Sequence, residues 1–384
     1  MSPFAPKRPA RRSAAGFTLV EIMVGMVIGV LGMIIMMQVF SLSESQKRST
    51  TGGGDAQSSG AIALFGLQRD LRQAGYGTSD LKLAGCSLQL RAGVTLAALA
   101  PVTINPLNTL GTPLITGQDA NTDTLLVVYG NTNGSPQGDG IVAQPASAGT
   151  AVSPDIYAVQ TPTSFITADQ VIAAPQNRAT PCNLSLTSVS AVGVGSSANV
   201  TVTAGTGVAA MSNGTLFNLS QAPRVLAYAI RNGNLTQCNY MVNDCGNAAN
   251  NGNTAIWVPI SNNIVSLKAL YGRDTSAPMD GIVDVFDTTA PANACDWVKI
   301  SGVRLALVAR NANFEKTVVT AVASVGPPYR SLAWDGDTTG NPNAVAANNI
   351  DLSANANWQN YRYRVLQTVV PLRNLVWQGV QSGC

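Results

Sequence analysis

From Phe17 to Phe40 apolar residues follow one another almost without interruption, and Glu21 and Gln38 are the only side chains costly in hydrocarbon. At 1.5 Å rise per residue the run predicts a helix about 36 Å long, enough to cross a bilayer. Ser41 to Ser49 is polar and continues the helix outward, while Thr51-Gly52-Gly53-Gly54 predicts its interruption. Helical spacing resumes at Asp55, with Ile62, Leu64, Phe65, Leu67 and Leu71 on one side and Arg69, Asp70, Arg72 and Gln73 on the other. Gly75-Tyr76-Gly77 is the stop signal.

Beyond residue 80 the pattern becomes that of strands. Candidates are Thr124–Tyr129, Val225–Ile230, Ala255–Ile260, Ile264–Tyr271, Ile282–Phe286, Val303–Val308 and Tyr363–Val370, separated by stretches rich in Asn, Gly and Pro. Arg231-Asn232-Gly233-Asn234 lies between two apolar runs and predicts a hairpin, because Asn-Gly supplies the positive φ values of a type I′ turn. Residues 131–222 are rich in Ser, Thr, Ala and Gly, with scattered strands such as Ala198–Thr203, and predict an elaboration on the sheet or a second small β-lobe. The fold class expected is α+β: a long N-terminal helix, half membrane-spanning and half amphipathic, packed on a large antiparallel β-sheet head.

With 384 residues and 46% apolar side chains, the chain can bury one large core or two modest ones. Charged residues are only 11%, which suits an extracytoplasmic domain with long polar loops. Four of the 23 basic residues (Lys7, Arg8, Arg11, Arg12) precede the apolar run, so the chain after residue 16 carries 19 against 20 acids, a net charge of −1. Bulk charge thus gives no support to a nucleic-acid role. Histidine is absent, which removes Ser-His-Asp and Cys-His mechanisms and His-ligated metals, and neither a Gly-x-Ser-x-Gly elbow nor a Walker loop occurs. Nothing points to an enzyme. Six cysteines (Cys86, Cys182, Cys238, Cys245, Cys295, Cys384) all lie C-terminal to the apolar run, and an even number on the oxidising side of a membrane reads as disulfides. Cys238–Cys245 is the favoured pair because it closes a short loop.

The four basic residues favour a cytoplasmic N-terminus, with everything after residue 41 outside. An ordinary signal peptide would have a shorter apolar region ending in a small-x-small site, whereas here Ala14-Ala15-Gly16 comes before the run. An acid in a membrane helix costs about 2.5–3.5 kcal/mol at the bilayer centre, so Glu21 calls for a partner. Gly25-x-x-x-Gly29 has the spacing that lets two membrane helices approach closely.

Gly16-Phe17-Thr18-Leu19-Val20-Glu21 resembles the leader junction of the type IV pilin and pseudopilin superfamily. The resemblance implies that a membrane prepilin peptidase cuts after Gly16 and N-methylates Phe17, and that Glu21 neutralises the N-terminal amine of a neighbouring subunit. A buried carboxylate and a buried ammonium, each costly alone, are tolerable together in an apolar bundle. Leu64–Tyr76, Ser266–Asp274, Val303–Val308 and Tyr361–Asn374 further resemble stretches of PilW-type minor pilins. The organisation implied is a class III leader over residues 1–16, a transmembrane and filament-core helix over 17–40, its continuation with the Gly-rich break over 41–77, and a periplasmic or extracellular head over 78–384.

The function implied is initiation or capping of type IV pilus assembly, with other minor pilins, the major pilin and the inner-membrane assembly platform as partners and the pilus tip as final location. A type II secretion pseudopilin shares the leader logic, and a tip adhesin or DNA-binding module is a third class. Asp274, Asp280 and Asp284, with Asp287, flank a Gly turn and are a candidate calcium loop, against the alternative of a solvated hairpin turning at Asp280-Gly281. Trp334, Trp358 and Trp377 are candidates for a binding face or for core packing.

Overall fold

A computed structural model describes residues 16–131, 136–145, 154–193, 198–322 and 330–376. The leader residues before Gly16, together with Trp377 and Cys384, lie outside these. The chain divides into two compact units, Met1–Gly52 and Gly53–Cys384.

The first unit is the apolar part of helix α1 (Leu19–Gln73). Leu19–Glu44 is long and apolar enough to cross a membrane, with mean hydropathy 2.5, and none of it is buried. The expected interruption at Thr51–Gly54 does not occur, since α1 stays helical through these residues. Three glycines cost a helix about 1 kcal/mol each relative to Ala, and regular helix on both sides outweighs that local preference. The boundary between the two units nevertheless falls within this glycine run.

In the second unit, α1 buries Ala56, Ala63, Leu67 and Leu71, and Ala74 just past its end is buried as well. Gly60 lies on the same stripe, where an added Cβ would come within 2.4 Å of Leu366 and 3.0 Å of Ala309. The buried face is therefore rotated from the one expected: Ile62 and Phe65 are each 67% exposed, and Asp70, read as a solvent-side residue, is only 5% exposed.

After α1 come strands β1 (Ser87–Arg91), β2 (Val94–Leu96), β3 (Val102–Ile104) and β4 (Leu125–Tyr129). Six more follow: β5 (Asp139–Ala143), β6 (Ile156–Val159), β7 (Gln170–Ala174), β8 (Asn183–Val192), β9 (Asn199–Val202) and β10 (Thr215–Asn218). The remainder are β11 (Arg224–Arg231), β12 (Asn234–Asn239), β13 (Val258–Asn262), β14 (Ile264–Arg273), β15 (Val285–Asp287), β16 (Ile300–Arg310) and β17 (Tyr363–Pro371).

The expected single sheet is two antiparallel sheets, ordered β13-β12-β11-β4-β3 and β15-β14-β16-β17. Both face α1 across one core that gathers Leu67 and Leu71, Val127 and Tyr228 from the first sheet, and Leu267 and Leu305 from the second. Alternate residues of β4 and β11 (Leu126, Val128, Val225, Ala227) enter a second core on the opposite face. Burial on both faces is why Leu125–Tyr129 reads as a continuous apolar run. The backbone N–H of Ile104 donates to the Tyr271 hydroxyl at 2.7 Å, joining the edge of one sheet to the other. The Asn-Gly hairpin forms as expected: Asn232 and Gly233 have φ of 51° and 68°, and Asp119 accepts from both backbone N–H groups.

The middle third is a β-lobe. Strands β8-β7-β10-β5-β6-β9 pair in that order, and β9 pairs back onto β8, so six antiparallel strands close into a barrel. Its interior is filled by Ile141, Tyr157, Val171, Val189, Val200 and Leu216. The barrel joins the rest of the head where β1 pairs in parallel with β8 and the Cys86–Cys182 disulfide immediately precedes both strands.

Candidate functional site

Gly16 and Phe17 precede α1 outside any helix or strand, and Phe17 is 84% exposed. Thr18 is the N-cap. Its side-chain oxygen accepts from the Glu21 backbone N–H at 3.3 Å, while Glu21 Oε2 accepts from both the backbone N–H and the hydroxyl of Thr18 at 3.0 Å. This reciprocal arrangement is a capping box, satisfying donors that the first turn of a helix cannot. Thr18-x-x-Glu21 is its sequence signature, so the acid has a structural role that its charge alone does not suggest. The carboxylate is thereby held one turn from the chain position that would become the N-terminus on cleavage after Gly16. Along the same helix Gly25 and Gly29 have no atom within 4 Å of where a Cβ would stand, so both are open to a neighbour.

Where α1 docks on the head, a polar cluster appears that the sequence did not suggest. The Tyr129 hydroxyl donates to Asp70 Oδ1 at 3.2 Å, the Tyr228 hydroxyl donates to Oδ2, and Gln237 donates to the Tyr228 oxygen at 2.7 Å. Burial, then the Asp70 charge, pushes the Tyr129 phenol up to about 12, and the same causes push Tyr228 still higher. Both phenols stay protonated as donors. The cluster fastens the helix to β4 and β11.

Cysteines pair as Cys86–Cys182 and Cys238–Cys245, and Cys295 is also disulfide-bonded. The acids of the candidate calcium loop are each engaged in local contacts. Asp274 accepts from the N–H groups of Ser276 and Gly281, Asp284 from Thr275 and Ser276, and Asp280 from Ile282. Asp287 binds Arg273. Each carboxylate thus closes a turn or an ion pair, and among the described residues no group of three or more acids, cysteines or histidines could hold a metal. The hairpin does form, β15 pairing with β14, but its connection is a loop pinned by Asp274 and Asp284 rather than a two-residue turn. Trp334 is core, with its indole N–H donating to the Asn348 carbonyl at 2.8 Å, and Trp358 packs against the same cluster.

Two family models match the chain. The Prokaryotic N-terminal methylation motif covers residues 11–37, which include the leader junction and most of the apolar run. Type IV Pilus-assembly protein W covers residues 227–374, from within β11 through β17. Comparison with curated proteins and with solved structures gives no match. With the leader motif at one end and the pilus-assembly segment at the other, the chain bears out its resemblance to the type IV pilin superfamily and is most like a PilW-type minor pilin.

Proposed function

We propose that this protein is a minor pilin that primes or caps assembly of a type IV pilus after its leader is removed at Gly16 and Phe17 is N-methylated. The observation that carries the proposal is one chain in which an exposed apolar helix, Leu19–Glu44, begins inside a methylation motif and precedes a head of more than 300 residues. Uncovered apolar surface of that extent needs lipid first and neighbouring helices afterwards. In this reading the inner membrane holds the helix before assembly, the head lies on the periplasmic side, and the filament core of other minor pilins and the major pilin replaces the lipid. Glu21, presented by the capping box, then receives the methylated N-terminal amine of the adjacent subunit. Prepilin peptidase and the inner-membrane assembly platform are the transient partners.

Mass spectrometry of membrane-extracted protein tests the first step. The expected N-terminus is N-methylated Phe17, and Gly16→Trp leaves the leader attached. An intact Met1 terminus in a host with active prepilin peptidase would overturn the reading. Glu21→Ala is expected to insert into membrane as well as wild type yet to be absent from sheared fibres. Normal incorporation of that variant would show that the acid is not a docking group.

A further inference from the structure

Beside the helix-docking cluster lies a cleft of about 380 Å³ whose walls include Arg69, Asp70, Gln73, Tyr129, Arg224 and Gln237. A second cavity of about 500 Å³ shares Arg224 and adds Leu90, Arg91, Gln221, Met241 and Val242. The only acid in either lining is Asp70, and it is buried with both oxygens bonded to phenols. Arg69 is paired with Asp70 at 3.4 Å but keeps 67% of its side chain exposed. Arg224 sits across from Tyr129 in the β4–β11 ladder, is exposed, and makes no hydrogen bond or ion pair among the described residues. Arg91 donates to the Tyr240 carbonyl at 2.5 Å, a neutral acceptor that leaves its charge uncompensated.

Three guanidinium groups against one buried carboxylate make a positive groove on a chain with no bulk positive charge after its leader. We propose that this groove binds an extended acidic segment of a partner protein. Guanidinium groups pair with carboxylates in two parallel hydrogen bonds, Gln73 and Gln221 can bond a peptide backbone, and Leu90, Met241 and Val242 give apolar contact between the charges. Nucleic acid fits less well. Stacking needs open aromatic faces, and Tyr129, the one aromatic side chain in either lining, is buried. The groove would bind such a segment whether or not the chain acts in a pilus.

The test uses the full chain in detergent micelles and fluorescence anisotropy with labelled decapeptides. Each peptide carries three Glu residues at adjacent, alternate or every-third positions among Leu and Ser, and is compared with its Gln counterpart and with an oligothymidylate. At least one acidic peptide is expected to bind tenfold or more tightly than its Gln counterpart, with affinity falling as salt rises. Arg224→Glu is expected to weaken that binding tenfold or more, and Lys316→Glu, an exposed charge outside both linings, to leave it within twofold. Because the Arg224 side chain makes no hydrogen bond or ion pair among the described residues, circular dichroism of the variant should match wild type. The proposal is overturned if no acidic peptide outbinds its Gln counterpart, if only the oligothymidylate binds, or if both substitutions weaken binding equally.

Discussion

At the scale of single residues, the consequential side chain of the head is Asp70. A helical-wheel reading places it with Arg69, Arg72 and Gln73 toward water, and nothing in α1 itself contradicts that. Its partners, Tyr129 and Tyr228, lie 59 and 158 residues away, and only the pairing of their strands β4 and β11 in one sheet makes the acid a buried acceptor. The sequence signal available was two tyrosines inside otherwise aliphatic strand runs, since a buried phenol needs a partner. Asp70→Ala leaves both hydroxyls without their acceptor and is expected to destabilise the head by about 3 kcal/mol, measured by urea denaturation. The same cluster gives a pH dependence. The Tyr129 phenol, near 10 in the unfolded chain, is held up to about 12 in the fold, so the native state keeps a proton that the unfolded state loses. Its contribution is complete below pH 10 and declines as pH rises toward 12. Tyr129→Phe should therefore be less stable at neutral pH but flatter across that alkaline interval, whereas a parallel loss in both proteins would refute the assignment.

At the scale of elements, the glycines of α1 separate two physical situations that look alike in sequence. Gly53 and Gly54 are helical with nothing within 4 Å of a Cβ, so Ala at either should remove an entropic cost and stabilise by about 0.5–1 kcal/mol. Gly60 is pressed against Leu366 and Ala309, and Gly60→Ala is expected to destabilise by about 1–3 kcal/mol through overpacking. Thermal denaturation of the variants reads both signs, and a stabilised Gly60→Ala would show that α1 does not lie on β17 as described. The Asn232-Gly233 hairpin and strands β14, β16 and β17 were legible because turn chemistry and long apolar runs are local signals. The barrel strands, apart from β9 within Ala198–Thr203, were not. Most are four or five residues long and rich in Ser, Thr and Ala, and their closure depends on β8 meeting both β7 and β9. Ala255–Ile260 shows the complementary error: its first half is a turn that seats buried Trp257 under Arg231, and only from Val258 is it strand.

At the scale of the whole molecule, the head's bulk bears on where the proposed pilin sits in a fibre. The compact unit begun by Gly53 holds over 300 residues, divided between the two sheets with α1 and the closed barrel. A domain of that length has a radius of gyration near 20 Å by compact-chain scaling, hence a diameter of about 50 Å. Helices side by side in a filament core stand only about 8–10 Å apart. If every subunit carried such a head, neighbouring heads would overlap long before their helices met, so a small-headed major pilin must build the shaft. The end of a fibre has no subunit above it, and crowding there is relieved on one side. The expected outcome is therefore a low-copy component confined to the tip or to a priming complex with other minor pilins. Quantitative mass spectrometry of sheared fibres should find it far below the major subunit, and immunogold particles should gather at fibre ends. Labelling spread evenly along the shaft, or abundance equal to the main subunit, would contradict the minor-pilin proposal while leaving the leader motif and its processing untouched.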